Sequence, residues 1–219
     1  MDANKDQTSI LGNAKPSQAI VKLALPATLA LLAKAVYNIV DTAYIGMLGS
    51  DIALTAVGVT VPLLLIMVSI ENIFAAGAAV LAGRQLGAKD EEGASRTVTT
   101  IIGLSIVIGA VLCVGGIVFI EPLMRAFGAS DASLSLAEDY AFWMFVAALA
   151  NLPAQSMNCA ARAESSVKIS SIAVITGALL NVVLDPIFMF DWGLGMGVEG
   201  ASLATTVSQF VTFFILAWF

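Results

Sequence analysis

Long runs of apolar residues alternate along the chain with short polar stretches. Six of these runs reach the roughly 20 residues that a helix needs to cross the hydrocarbon core of a bilayer. They predict six transmembrane helices, at about residues 20–47, 58–83, 98–120, 140–161, 169–190 and 198–219. The period-two alternation of apolar and polar residues that marks a membrane barrel is absent. We therefore expect an all-α membrane protein.

The first predicted span is longer than a straight crossing requires, so we expect it to tilt or bend. Pro26 lies within this span and lacks the backbone N–H that would donate to the preceding turn of a helix. We predict the bend at Pro26. Residues 1–18 are polar and mixed in charge, and form an N-terminal arm before the span.

The composition agrees with a membrane protein. Of the 219 residues, 59% are hydrophobic and 12% are charged, whereas a soluble domain is about half apolar and a quarter charged. The net charge of −6 and the scattered Lys and Arg offer no basic stripe to a nucleic acid. The chain has no His, which removes Ser–His and Cys–His catalysis. The segment GLGMGVEG (193–200) lacks the Asp of the GxGD motif in intramembrane aspartyl proteases, so we expect no enzyme.

Basic residues at the ends of the predicted spans and in the segments outside them lie almost entirely on one side of the membrane. That side includes the arm and the second and fourth connections, which hold Lys5, Lys15, Lys22, Arg84, Lys89, Arg96, Arg162 and Lys168. The opposite side holds only Arg125, among seven acidic residues. Because Lys and Arg accumulate in cytoplasmic loops, we predict a cytoplasmic N-terminus.

Several polar residues lie at membrane depth, where a charge costs at least ~2.5–3.5 kcal/mol and marks a functional site by default. At 100° per residue, those within one span share one helix face. They are Lys34, Asn38 and Asp41 in the first span, Glu71 in the second, Asn151, Gln155 and Asn158 in the fourth, Asn181 and Asp185 in the fifth, and Thr205 and Gln209 in the sixth.

The two aspartates are the most informative of these residues. Two carboxyl groups in one bundle, Asp41 and Asp185, resemble a proton or cation site, because burial and nearby charges decide when each ionises. Hydrogen bonds between helices explain the amide and hydroxyl side chains equally well. For Lys34 and Glu71 a buried ion pair is one interpretation, and tuning of Asp41 is another.

Six motifs, in order from about residue 24 to residue 209, carry a family resemblance. They are YNIVDTAYIG, GRQLGAKDEEGASR, PLMRAFGAS, ARAESSVK, LLNVVLDPIFMF and GVEGASLATTVSQ. Together they resemble the multidrug and toxic compound extrusion (MATE) family, in its DNA-damage-inducible-protein-F-like prokaryotic branch. The resemblance implies one six-helix lobe, residues 19–219, of a twelve-helix transporter in a prokaryotic plasma membrane. We expect the natural chain to continue past Phe219 into a C-terminal lobe that is absent here.

The resemblance also implies an activity, which is export of small cationic amphipathic compounds in exchange for H⁺ or Na⁺, with no other cofactor. In the matching branch an Asp, an Asn, an Asp and a Thr of this lobe hold the coupling ion. They correspond to Asp41, Asn181, Asp185 and Thr205, with Thr206 as the alternative threonine. Pro26 matches the proline associated with bending of the first helix. The tuning or cavity-lining positions are then Lys34, Asn38, Glu71, Asn151, Gln155, Asn158 and Gln209.

This chain departs from the family where Lys34 and Glu71 replace uncharged residues, which leaves H⁺ and Na⁺ as alternatives. As a mechanism, we hypothesise that ion binding neutralises Asp41 and Asp185, the first helix bends near Pro26, and the cavity shrinks to release its cargo outward. One rival is a lipid-linked-precursor flippase of the same superfamily, whose cavity is lined by Arg and Lys. Here Lys34 is the only basic residue deep in a span. A truncated, non-transporting membrane fragment is another rival.

Overall fold

Long helices account for nearly all of the computed structural model. The structure describes residues 16–163 and 166–218, without the side chains of residues 16–23, 26 and 27. The helices are α1 (Pro16–Met47), α2 (Asp51–Gly87), α3 (Glu91–Val118), α4 (Ile120–Ala126), α5 (Leu134–Ala163), α6 (Val167–Met189) and α7 (Val198–Trp218). The described residues contain no strand. The six long helices correspond to the six predicted spans, so the all-helical prediction is confirmed.

Several helices begin earlier than the apolar pattern predicts. Helix α2 starts at Asp51 rather than at residue 58. At this start the Ser50 side chain accepts a hydrogen bond from the Ala53 N–H. Helix α3 starts at Glu91 rather than at residue 98. At this start the Asp90 carboxylate accepts a hydrogen bond from the Gly93 N–H at 2.9 Å. These caps satisfy backbone donors at the helix ends. An apolar window finds only the membrane-embedded part of a helix and misses the turns that extend beyond it.

The link between the third and fourth spans is partly helical. It contains the seven-residue helix α4, whose Met124 is fully buried against the bundle. Residues 1–15 of the predicted arm lie outside the described residues, and Pro16 already belongs to α1. Helix α1 runs through Pro26 to Met47 as one α-helix.

By length and apolar composition alone, four of the described helices are suited to cross a membrane: α2, α3, α6 and α7. The other two long helices, α1 and α5, carry polar residues on several turns. Helix α5 is central in the bundle and packs against α2, α3 and α7, while α1 packs mainly against α6. Because α5 meets protein on several sides, it needs less apolar surface than a helix that faces lipid.

Small residues let α5 approach its neighbours closely. Ala137, Ala141 and Ala148 are buried in the main apolar cluster, together with Phe145 of the same helix and Leu63 of α2. Without a hydrophobic force between helices in lipid, such close backbone contact supplies the packing energy. On α3, a Cβ added at Gly109 would lie 2.8 Å from the Ala148 carbonyl oxygen. Glycine is therefore required where α3 crosses α5.

Helix α7 is tied to α5 by hydrogen bonds as well as by packing. The Thr206 hydroxyl donates to the Trp143 carbonyl oxygen at 2.9 Å. The indole N–H of Trp143 donates to Glu199 at 3.0 Å. These two bonds fix the position of α7 relative to α5 and thereby position the polar face of α7.

We expect Gly109→Ala to lower the thermal unfolding temperature of the purified protein, because the new methyl group must displace the α5 backbone. Overpacking of this kind costs about 1–3 kcal/mol. Gly103→Ala on the same helix is the matched control, since a Cβ there meets nothing within 4 Å. Equal unfolding temperatures for the two variants would show that α3 and α5 are not in close contact.

Candidate ion site and cavities

Three polar side chains form a buried chain of hydrogen bonds between α6 and α7. Asn181 and Asp185 lie one turn apart on α6, and both are at most 2% exposed. The Asn181 amide nitrogen donates to the Asp185 carboxylate at 2.9 Å and to the Thr205 hydroxyl at 3.1 Å. The i, i+4 spacing and the α6–α7 contact thus bring three of the four predicted site residues together.

Thr205, rather than Thr206, is the threonine that is hydrogen-bonded to Asn181. The Thr206 hydroxyl instead contacts the carbonyl oxygens of Trp143 and Ser202. Those two residues lie on α5 and on the preceding turn of α7, so the Thr206 hydroxyl takes no part in the Asn181–Asp185–Thr205 hydrogen bonds, although Thr206 also lines the larger cavity.

Asp41 approaches the same region from α1. It lines a cavity of about 180 Å³ together with Thr205. Among the described residues it makes no hydrogen bond to Asn181, Asp185 or Thr205. Asp41, the fourth predicted site residue, therefore shares this cavity with Thr205 but is not hydrogen-bonded to the other three.

The site contains buried oxygen atoms that have no donor. Within the described part of the chain, one oxygen each of Asp41, Asn181 and Asp185 is buried without a hydrogen-bond partner. Leaving such an atom unsatisfied costs about 1–3 kcal/mol. Carboxylate and amide oxygens are what a proton or a hard cation binds. The residues present therefore fit an ion, which would be held by Asp41, Asn181, Asp185 and Thr205.

The cavity beside Asp41, which we call the larger cavity, lies between α1, α2, α5 and α7. Its polar lining includes Asp41, Glu71, Lys34, Tyr37 and Tyr140. Its apolar walls are formed by Leu64, Met67, Val68 and Met144. Two carboxylates, aromatic rings and adaptable methionines in one space can receive an amphipathic molecule.

A second cavity, of about 100 Å³, lies between α1, α5, α6 and α7, and we call it the smaller cavity. All of the predicted lining positions face one cavity or the other. Lys34, Asn151 and Gln209 line both, Asn38 and Glu71 line the larger one, and Gln155 and Asn158 line the smaller one.

Glu71 has a different partner from the one predicted. Within the described residues it forms no ion pair with Lys34. Its carboxylate instead accepts a hydrogen bond from the Asn151 amide of α5, and the side chain is 5% exposed. Of the two interpretations given for Lys34 and Glu71, a direct ion pair is therefore not seen among the described residues. Sequence spacing within one helix cannot show which residue of another helix lies opposite.

The sequence analysis overlooked several lining residues. Tyr37 lines both cavities, and Tyr140 lines the larger one. Tyr37 is three residues from Lys34, on the same face of α1, so the helical period could have identified it. Arg162, Ser170 and Ser171 line the smaller cavity. They lie near helix ends, where a polar residue attracts no notice.

A bundle of membrane helices around polar cavities with buried carboxylates is typical of secondary transporters. Residues 26–187 match the MatE family model. The chain belongs to the MatE family, and the predicted resemblance is confirmed. The named relatives are transporters, which agrees with the expectation that the chain is no enzyme.

Two curated relatives and one solved structure illustrate the similarity. The chain is 29% identical over 201 residues to the multidrug export protein MepA of Staphylococcus aureus, covering 91% of this chain and 44% of MepA. It is 28% identical over 211 residues to an FAD transporter of Shewanella oneidensis, covering 94% of this chain and 46% of that protein. A MATE structure in the straight conformation superposes with a TM-score of 0.88 at 30% identity, covering 95% of this chain and 46% of that one.

The chain thus spans less than half the length of the relatives that it matches. The fold of six long helices is that of one lobe of a MATE transporter, which confirms the predicted fold class.

We expect Asn151→Leu to lower the unfolding temperature, because it leaves the buried Glu71 carboxylate without its donor, at about 1–3 kcal/mol. In a Glu71→Leu background the same change should cost much less, since the carboxylate is gone. A double-mutant cycle of thermal unfolding measures this coupling. Strictly additive effects would show that the two side chains do not interact.

Proposed function

We propose that the protein is the N-terminal lobe of a secondary antiporter that exports amphipathic small molecules in exchange for H⁺ or Na⁺. The observation that carries the proposal is the set of buried oxygens on Asp41, Asn181 and Asp185 that lack a donor among the described residues. An exchanged ion would supply the missing partner. Family membership supports transport, and two-lobe transporters commonly bind substrate and ion within the membrane.

The larger cavity favours a cationic cargo. Asp41 and Glu71 place two carboxylates on its wall against one basic residue, Lys34. The rings of Tyr37 and Tyr140 add surfaces on which a cation can rest. The relative MepA is named a multidrug export protein, and we extend that activity to this lobe as part of a complete transporter. The flippase alternative would need a more basic cavity than this one.

In the proposed exchange, Asp41 and Asp185 are charged while the cavity holds its cationic cargo. When coupling ions arrive, a proton on each carboxylate, or a Na⁺ shared between them, lowers the negative charge of Asp41 and Asp185. The attraction for the cargo then weakens and the unpaired oxygens gain a partner. Side chains of lower charge then allow α1 to move toward α6 and α7, with a hinge at Pro26. Differential ion binding to the two arrangements drives the cycle.

We further propose that this lobe sits in a prokaryotic plasma membrane with its N-terminus in the cytoplasm, as the distribution of basic residues indicates. A second lobe of similar size would complete the central cavity, since the chain matches 44% of MepA. The lipid bilayer surrounds the large apolar side chains exposed on α1, α2 and α3.

We expect Asp41→Asn and Asp185→Asn to reduce ion-driven drug transport by the full-length protein at least tenfold, because neither amide can gain and lose a charge. Transport is measured in everted vesicles with Na⁺ and pH gradients imposed separately, which also identifies the coupling ion. Asp191→Asn, at an exposed position after α6, is the matched control. Wild-type transport by both test variants would refute the ion site.

We expect Pro26→Ala to slow transport severalfold, because the restored backbone N–H stiffens α1 at the proposed hinge. Binding of the cargo at equilibrium should change little. Pro62→Ala is the control, since it removes a proline from the interior of α2, which carries neither aspartate of the ion site. If both proline variants transported at the same rate, a hinge at Pro26 would be ruled out.

A further inference from the structure

The smaller cavity has a polarity opposite to that of the larger one. Lys34 and Arg162 both line it, and no Asp or Glu among the described residues does so. The larger cavity has Asp41 and Glu71 on its wall. A space inside a membrane protein that collects positive charge without carboxylates attracts an anion, because a low-dielectric environment strengthens such attraction.

Hydrogen bonding in the smaller cavity also favours an acceptor as ligand. The Gln155 carbonyl oxygen accepts from the Asn158 amide at 3.3 Å, which leaves the Gln155 amide nitrogen as a donor. The Asn158 carbonyl oxygen is in turn occupied by the Ser170 hydroxyl. Ser171, only 5% exposed, makes no side-chain hydrogen bond to another described residue. The Gln155 amide nitrogen and the Ser171 hydroxyl are thus free to donate, and an oxygen-rich anion can accept from them.

Arg162 gives this cavity a specific recognition group. One guanidinium nitrogen donates to the Cys159 sulfur at 3.0 Å, and the side chain is half-buried. The remaining N–H groups of the planar guanidinium match two oxygens of a phosphate or carboxylate at once. Lys34 adds a second, more flexible positive charge to the same lining.

The size and the walls of the cavity define the rest of the ligand. About 100 Å³ accommodates a head group rather than a whole drug-sized molecule, since ligand pockets are typically ~300–1,000 Å³. The larger cavity, at about 180 Å³, is likewise only the part of a cargo site that this lobe would contribute. Apolar side chains, among them Leu31, Val174 and Leu216, surround the polar groups. Leu31 is 62% exposed on the surface of the lobe. An apolar tail can therefore leave the cavity along α1.

We propose that the smaller cavity binds the phosphate or carboxylate group of an amphipathic molecule through Arg162, Lys34, Gln155 and Ser171. The site meets the ion site only at Asn181 and Thr205, which also line this cavity, whereas Asp41 lies on the larger cavity and Asp185 lines neither. It also goes beyond cation export, because its ligand carries the opposite charge. The same chemistry is found in an anionic lipid head group and in a soluble phosphorylated compound.

The experiment uses the full-length protein in a neutral detergent and two matched pairs of probes. Lysophosphatidic acid is compared with monoacylglycerol, and flavin mononucleotide with riboflavin, so that each pair differs in a phosphate. Stabilisation against heat reports binding. We expect the phosphorylated member of at least one pair to stabilise the protein more than its neutral counterpart. The lipid pair identifies a head group as the source, and the flavin pair identifies a soluble compound.

Substitutions in the lining test whether the phosphorylated probe binds in the smaller cavity. We expect Arg162→Gln and Lys34→Gln each to weaken binding of the phosphorylated probe about tenfold or more. Ser171→Asp, which places a carboxylate on the wall, should abolish it. Arg96→Gln, on an exposed turn of α3 where Arg96 pairs with Glu92, is the matched control and should bind as the wild type does.

Two results would overturn the proposal. One is that neither phosphorylated probe stabilises the protein more than its neutral counterpart. The other is that Arg162→Gln and Arg96→Gln bind the probe equally well. Probe binding is measured at equilibrium, with no Na⁺ or pH gradient and no transport, so a failure of the anion site is distinguishable from a failure of ion-driven transport. Arg162→Lys keeps the positive charge. If this variant binds the phosphorylated probe, the loss of binding in Arg162→Gln is due to the missing charge and not to misfolding.

Discussion

Polar side chains within a bilayer must face protein or a water-filled cavity, because lipid offers them no hydrogen-bond partner. Most of the arrangement of this lobe follows from that constraint. Helix α5 presents Asn151, Gln155 and Asn158 on one face, and that face looks onto the two cavities. The polar faces of α1 and α7 look onto the same spaces. The helices are therefore oriented by their polar residues as much as by their apolar ones.

Close contact between helices is what makes these orientations stable. Gly109 allows α3 to approach the α5 backbone, and Gly177 leaves room for the Thr212 side chain between α6 and α7. The second contact lies beside the smaller cavity, which both residues line. A lobe with larger residues at these positions would hold its helices farther apart. At Gly177 this would lengthen the hydrogen bond between Asn181 of α6 and Thr205 of α7.

The sequence was sufficient to predict the six long helices and the face of each that turns inward. Long apolar runs and the helical period determine both, and neither depends on which helices are neighbours. Pairings across helices were not predictable. Glu71 meets Asn151 rather than Lys34, because α2 packs against α5 and contributes only a few contacts with α1. Arg162 and Ser171 were missed because they lie near helix ends, and only the fold shows that these ends share a cavity with α1 and α7.

Helix α1 links the two cavities mechanically. Lys34 and Tyr37 line both cavities, while Ala30 and Leu31 line only the smaller one and Asp41 only the larger one. Successive turns of one helix thus form walls of two spaces with opposite polarity. Any displacement of α1 relative to α7 changes both volumes together, because packed helices move as rigid elements rather than deforming locally. An ion that repositions α1 through Asp41 would therefore alter the anion-attracting cavity as well, without touching it.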